Sequence, residues 1–212
     1  RIQWLLFGTA VLVGLWRSRP PSGLEGQDQV NVLLVTFDTT RADRLGAYGG
    51  NADTPRIDAL ASDGVLFEQA IAPAPLTEAS HLSLLTGRSV HKTGVYANGT
   101  VLGKRPELLS HAFQEAGYRT GAVVSGFPLH GKYGWTQGFD FYEDDFGSVP
   151  GLHRLSLMKA LDQIRLPGNT LRERKGVQTL DRSKAFLARY SEGPFFLWGG
   201  GFWPGWATPK GK

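Results

Sequence analysis

The sequence predicts an α/β fold, and three observations carry that expectation. Residues 30–37 (VNVLLVTF) form a nearly continuous apolar run with β-branched residues, which suits a strand buried on both faces of a parallel sheet. Two further runs, 118–124 (YRTGAVV) and 195–198 (FFLW), read as strands of the same kind. Between them lie segments with helical spacing and glycine stops, the alternation that builds a parallel sheet.

From the N-terminus onward, residues 2–16 (IQWLLFGTAVLVGLW) carry no charge and place Trp4 and Trp16 near the two ends, as interfacial aromatics do. As a helix of about 1.5 Å per residue the run is somewhat short of the roughly 30 Å hydrocarbon core. An N-terminal apolar helix over 1–16 serving as a membrane anchor is the expectation. A signal peptide and a buried helix are the alternatives. Residues 17–29 (RSRPPSGLEGQDQ) are polar and rich in proline and glycine, a linker.

After the first strand, Thr54 and Pro55 followed by Asp58 mark a helix start, and Gly64 its end. Residues 65–72 read as extended, 80–86 as a short helix stopped by Gly87, and 108–116 as a helix closed by Gly117. Residues 152–164 and 177–190 have helical spacing. From Gly199 to the end (GGGFWPGWATPKGK) neither period is present, so 199–212 reads as an irregular tail and 30–198 as the folded part.

Composition narrows the functional classes. Hydrophobic residues make up 41% and charged residues 20%, ordinary for a globular domain. The net charge of +4 is mild, and its basic residues are scattered without interleaved aromatics, which argues against a nucleic-acid partner. The absence of cysteine excludes disulfides, thiolate metal sites and cysteine nucleophiles.

Two segments could carry chemistry. Asp38 directly follows the first buried strand, and ligands collect at the carboxyl ends of strands in open α/β sheets. A carboxylate there needs a cation, either Arg41 or a metal, unless it merely caps the next turn. Thr77 and Ser80 stand where a helix begins (LTEASHLSLLTG), facing free N–H groups and the positive end of the dipole. A threonine there could attack a tetrahedral anion if a base or metal activates it, or it could be an N-cap and nothing more.

Taken together and in order, the blocks NVLLVTFDTTRADRLGAYG, TPRIDALASDGVLFEQAIAPAP, SHLSLLTGRSVHKTGV, GYRTGAVVS, GFDFYED and PFFLW resemble the N-terminal part of sulfatases of the alkaline phosphatase superfamily. The pattern Asp-Thr-x-Arg-Ala-Asp at 38–43 is similar to one sulfatase-like branch. The resemblance implies an alkaline-phosphatase-like fold, a sheet sandwiched between helices, left incomplete at its C-terminus here. It also implies a divalent cation, calcium in typical sulfatases, with zinc or manganese as alternatives.

Position by position, the first metal-binding acid falls on Asp38, and the next acid is replaced by Thr39. The family's arginine matches Arg41. The signature Cys/Ser-x-Pro-Ser-Arg falls on residues 77–81, which puts Thr77 at the nucleophile position as a further metal ligand. Threonine cannot be converted to formylglycine, and His81 stands in place of the arginine that steadies the nucleophile. The second signature opens at Gly117-Tyr118-Arg119-Thr120, but Ser125 stands where a lysine is expected and Lys132 is out of register. His91 reads as a structural histidine or one behind the metal ligands, and not as a ligand itself.

The resemblance thus implies metal-assisted attack by Thr77 on the sulfur of a small-molecule or glycan sulfate ester, with Arg41 and the helix start holding the oxygens. A phosphatase or phosphoethanolamine-type transferase acting on a phosphate ester is the alternative. A non-catalytic membrane-anchored module is the reading from another class. A setting outside the cytoplasm is expected. The remaining metal ligands lie downstream in the family, so residues 1–212 are expected to be inactive alone.

Overall fold

The computed structural model describes residues 3–7, 11–16, 30–103, 106–146, 174–190 and 192–202. One mixed sheet of seven strands runs through them. The strands are β1 (Gln3–Phe7), β2 (Val11–Trp16), β3 (Asn31–Phe37), β4 (Val65–Leu66), β5 (Arg119–Val124), β6 (Phe141–Glu143) and β7 (Phe195–Phe202), in the order β4-β1-β2-β3-β7-β5-β6. Strands β3, β7, β5 and β6 are parallel, as the apolar runs predict. The helices described are α1 (Pro55–Asp63), α2 (Thr77–Thr86), α3 (Val90–Thr93), α4 (Leu109–Glu115) and α5 (Gly176–Tyr190).

The expected N-terminal apolar helix is corrected. Residues 3–7 and 11–16 are two strands paired antiparallel, and β2 continues antiparallel onto β3 from Val11↔Thr36 to Trp16↔Asn31. These strands make the sheet mixed where the sequence predicts a parallel one. The physical reason is that a charge-free run without helical period fits a buried strand as well as a helix. Here Val11 and Val13 favour the strand, and Gly8 and Gly14 weaken a helix. Among the described residues no helix is long and apolar enough to cross a membrane.

Helices cover both faces, and the alternation along β7 shows how. Phe196 and Trp198 pack with Leu82, Leu85 and Trp135 in one apolar cluster, while Phe195 and Leu197 pack with Phe186 of α5 in the other. Successive side chains of a strand point to opposite faces, so the two clusters lie on the two sides of the sheet. Ala122 and Val124 of β5 join the first cluster and Val123 the second, in the same rhythm. This is the sheet between helices that the resemblance implies.

Two other expectations shift. Of the segment expected to be extended over 65–72, Val65–Leu66 form a strand. Strand β7 does not end at Trp198 but continues through Gly199, Gly200 and Gly201 to Phe202, so residues 199–202 are strand and not the irregular segment expected there. The linker at 17–29, the helix expected at 152–164 and the last residues 203–212 lie outside the described residues.

Candidate active site

Asp38 follows β3 at the carboxyl edge of the parallel strands, and Thr77 opens α2. The fold brings them into direct contact: Thr77 Oγ1 donates to Asp38 Oδ2 at 2.8 Å across 39 residues of sequence. The other carboxylate oxygen, Asp38 Oδ1, accepts the Thr39 N–H at 2.8 Å. Thr40 donates its hydroxyl to the Asp38 carbonyl at 3.1 Å. To make this turn Thr39 adopts φ +52°, a left-handed conformation that is rare for a β-branched residue and is typical of strained functional turns.

Helix α2 starts at Thr77 rather than at Ser80. Its N-cap residue, Leu76, has no side chain that can accept a hydrogen bond. The need is met from outside the helix. Asn98 Oδ1 accepts the Glu78 N–H at 3.0 Å, and Glu78 Oε2 accepts the backbone N–H groups of Gly99 and Thr100 at 2.5 and 3.2 Å. Glu78 is fully buried, and its Oε1 has no hydrogen-bond partner among the described residues. Burial pushes its carboxyl above the ordinary value, against the pull of the two N–H donors.

His81, one turn along α2, is buried and bonded at both ring nitrogens. Nδ1 lies 2.7 Å from the Thr77 carbonyl oxygen, and Nε2 lies 2.9 Å from Thr36 Oγ1. Its imidazole is held below the ordinary value because burial outweighs the attraction of the Asp38 carboxylate.

Arg41 pairs with a near neighbour in sequence. Its guanidinium forms a bidentate pair with Asp43, at 2.9 Å from Nε and 2.6 Å from Nη2, and its side chain is 73% exposed. His91 is exposed, with Nδ1 at 3.2 Å from the Tyr96 hydroxyl. Lys132 stacks its ammonium 3.8 Å from the centre of the Phe127 ring and 4.9 Å from that of Tyr133. Ser125 is buried, with its hydroxyl 2.9 Å from Thr179 Oγ1. Thr36, Glu78 and Asn98 are the neighbours of the site that sequence reasoning missed.

The donor set suits a hard cation in kind but not in number. Asp38 Oδ2 and Thr77 Oγ1 are oxygens close enough to share one ion, whereas such ions take about six oxygens. Among the described residues no group of three or more His, Cys, Asp or Glu is gathered to hold a metal.

A sheet layered between helices, with an acid at a strand end facing a hydroxyl at a helix start, is consistent with the alkaline-phosphatase-like class. The chain belongs to the sulfatase family: the Sulfatase family model matches residues 30–199. It is 26% identical over 176 residues to N-acetylglucosamine-6-O-sulfatase of Bacteroides thetaiotaomicron, covering 76% of this chain and 30% of that protein. Ulvan-active sulfatase of Formosa agariphila is 31% identical over 143 residues, 60% of this chain and 28% of its own length. Human iduronate 2-sulfatase is 29% identical over 194 residues, with 80% of this chain and 34% of that protein covered. The chain therefore spans about a third or less of the length of these curated relatives.

Proposed function

We propose that this chain carries the nucleophile half of a sulfuric ester hydrolase site, with Thr77 as the nucleophile. The observation that supports it most is the 2.8 Å contact between Thr77 Oγ1 and Asp38 Oδ2, in a chain that belongs to the sulfatase family. In this reading Thr77 Oγ1 bonds to sulfur while the bond to the ester oxygen breaks, and the alcohol departs with a proton. Water then cleaves the threonine sulfate. The hydroxyl proton already points at Asp38. A divalent cation, calcium first and zinc or manganese as alternatives, would lower the pKa of the hydroxyl and take up charge there. Asp38 and Thr77 would hold it together with ligands from residues beyond those described.

His81 steadies the nucleophile from its backbone side. Arg41 would have to exchange Asp43 for the non-bridging oxygens, an exchange open to it because the pair is exposed and solvent-screened. The named relatives act on sulfated sugars by their names, so a glycan or small-molecule sulfate ester is the proposed substrate. A phosphate ester is the second reading, favoured by the threonine itself, which attacks as an alcohol rather than as formylglycine.

The test is turnover of an aryl sulfate and an aryl phosphate, with and without calcium, by protein that includes the remaining metal ligands. The expected result is metal-dependent cleavage of the sulfate, abolished in Thr77→Ala with a melting temperature within a few degrees of wild type. Full activity in Thr77→Ala would sink the assignment, and faster turnover of the phosphate would select the second reading. Residues 1–212 alone are expected to show no turnover.

A further inference from the structure

We propose that Thr36 is a positioning residue for the nucleophile, acting through His81, which serves as a neutral tether with its proton on Nδ1. The inference rests on the reading of Thr77 as the nucleophile only for its kinetic consequence; the tether stands on hydrogen-bond accounting.

Thr36 Oγ1 has three close polar neighbours: Trp198 Nε1 at 3.4 Å, the Gly201 N–H at 3.2 Å and His81 Nε2 at 2.9 Å. The indole and the peptide N–H can only donate. They occupy the two lone pairs that a threonine hydroxyl offers, so its single proton goes to His81 Nε2. Nε2 is then an acceptor and carries no proton. On the other side of the ring the Thr77 carbonyl can only accept, so Nδ1 must be the N–H that it meets at 2.7 Å. Every donor and acceptor in this chain has one role, and all of them are buried or partly buried.

The consequence is geometric. Thr36, near the end of β3, and Asp38, in the turn just after it, both meet the first turns of α2, Thr36 through His81 and Asp38 through Thr77. Helix α2 is held there at two points, by Thr77 Oγ1 on Asp38 and by the Thr77 carbonyl through His81 on Thr36. Two attachments fix the rotation of the threonine about its backbone, where one would leave it free to swing. The Gly201 N–H brings the carboxyl end of β7 into the same joint. Thr36 touches none of the reacting atoms in this scheme, which separates it from Thr77 and Asp38.

The test uses nitrogen and carbonyl NMR of the labelled chain as wild type, Thr36→Val and Thr36→Ser. The expected wild-type spectrum has His81 Nδ1 protonated and Nε2 unprotonated and hydrogen-bonded at neutral pH. Thr36→Val shifts the Nε2 and Thr77 carbonyl resonances, and Thr36→Ser restores both. A proton on Nε2, or an unmoved Thr77 carbonyl in Thr36→Val, overturns the proposal. Should Thr36→Val not fold, the wild-type tautomer and the Thr36→Ser spectrum still decide. In the aryl sulfate assay Thr36→Val is expected to lower kcat by about tenfold to a hundredfold with KM within twofold; an unchanged kcat overturns the positioning role. Absence of turnover in wild type as well would refute the hydrolase reading alone, and the spectra would still decide the tether.

Discussion

Glu78 and Asn98 grip each other in both directions: the side chain of Asn98 receives the backbone N–H of Glu78, and the side chain of Glu78 receives the two backbone N–H groups that follow Asn98. The arrangement has the logic of a capping box, in which two residues satisfy each other's free donors. It differs in that the partner comes from a loop 20 residues away, because Leu76 cannot cap. The start of α2, and with it Thr77, therefore depends on the loop at 98–100.

Asn98→Ala removes the acceptor for the Glu78 N–H and leaves the Glu78 carboxyl in place. Loss of a cap costs about 1 kcal/mol, or roughly 2–4 °C of melting temperature in a domain of this size. Asn98→Asp keeps an oxygen at the same distance and is expected to melt close to wild type. A melting scan of the two variants checks this; equal losses would show that the loop, and not the acceptor, holds the helix.

Stability should fall on acidification below neutral pH. Burial holds His81 and His130 below their ordinary value of 6.5, with the Asp38 and Asp144 carboxylates pulling the other way. A histidine with a depressed folded-state pKa adds stability that is full above 6.5 and is lost as pH falls through the folded value. Glu78 has the opposite sign. Its raised pKa favours the fold below 4.5, and that contribution is lost as pH rises through the folded value. Melting temperatures between pH 7.5 and 5.5 should therefore decline in wild type and decline less steeply in His81→Gln. An identical slope in the two proteins would show that folding leaves proton binding at His81 unchanged, contrary to its depressed pKa.

What the sequence made legible follows from how each feature is encoded. The pairing of Asp38 with Thr77 was readable because each stands at a boundary, a strand end and a helix start, and the residues around both resemble one family. Thr36 was not, since a threonine inside an apolar run looks like any other β-branched strand residue and its hydroxyl is useful only once His81 and Trp198 arrive from elsewhere. Arg41 has a local rival, Asp43, that the family match does not weigh against distant oxygens. The N-terminal run was misread because apolar composition alone does not separate a strand from a helix. The triple glycine after Trp198 was read as the end of order because glycine has no strand preference of its own.

That triple glycine carries the last prediction. Gly201 has φ +73°, a conformation that costs a residue with a Cβ about 1–2 kcal/mol. A Cβ on Gly200 would stand 2.6 Å from the Trp198 indole, far inside contact distance. Trp198 is fully buried beside Trp135 and His81, with ring centres at 6.0 and 5.7 Å, so the indole has nowhere to retreat. Gly200→Ala should thus cost about 1–3 kcal/mol as an overpacked site and alter the near-ultraviolet dichroism of the tryptophans. Gly201→Ala should lower the melting temperature without that spectral change, because its Cβ would meet nothing closer than Leu129 Cδ1 at 3.4 Å. Gly201→Asn should recover part of the loss, since asparagine tolerates the left-handed region. If both alanine variants melt like wild type, the strand does not continue past Trp198, and the Thr36 joint loses its third member.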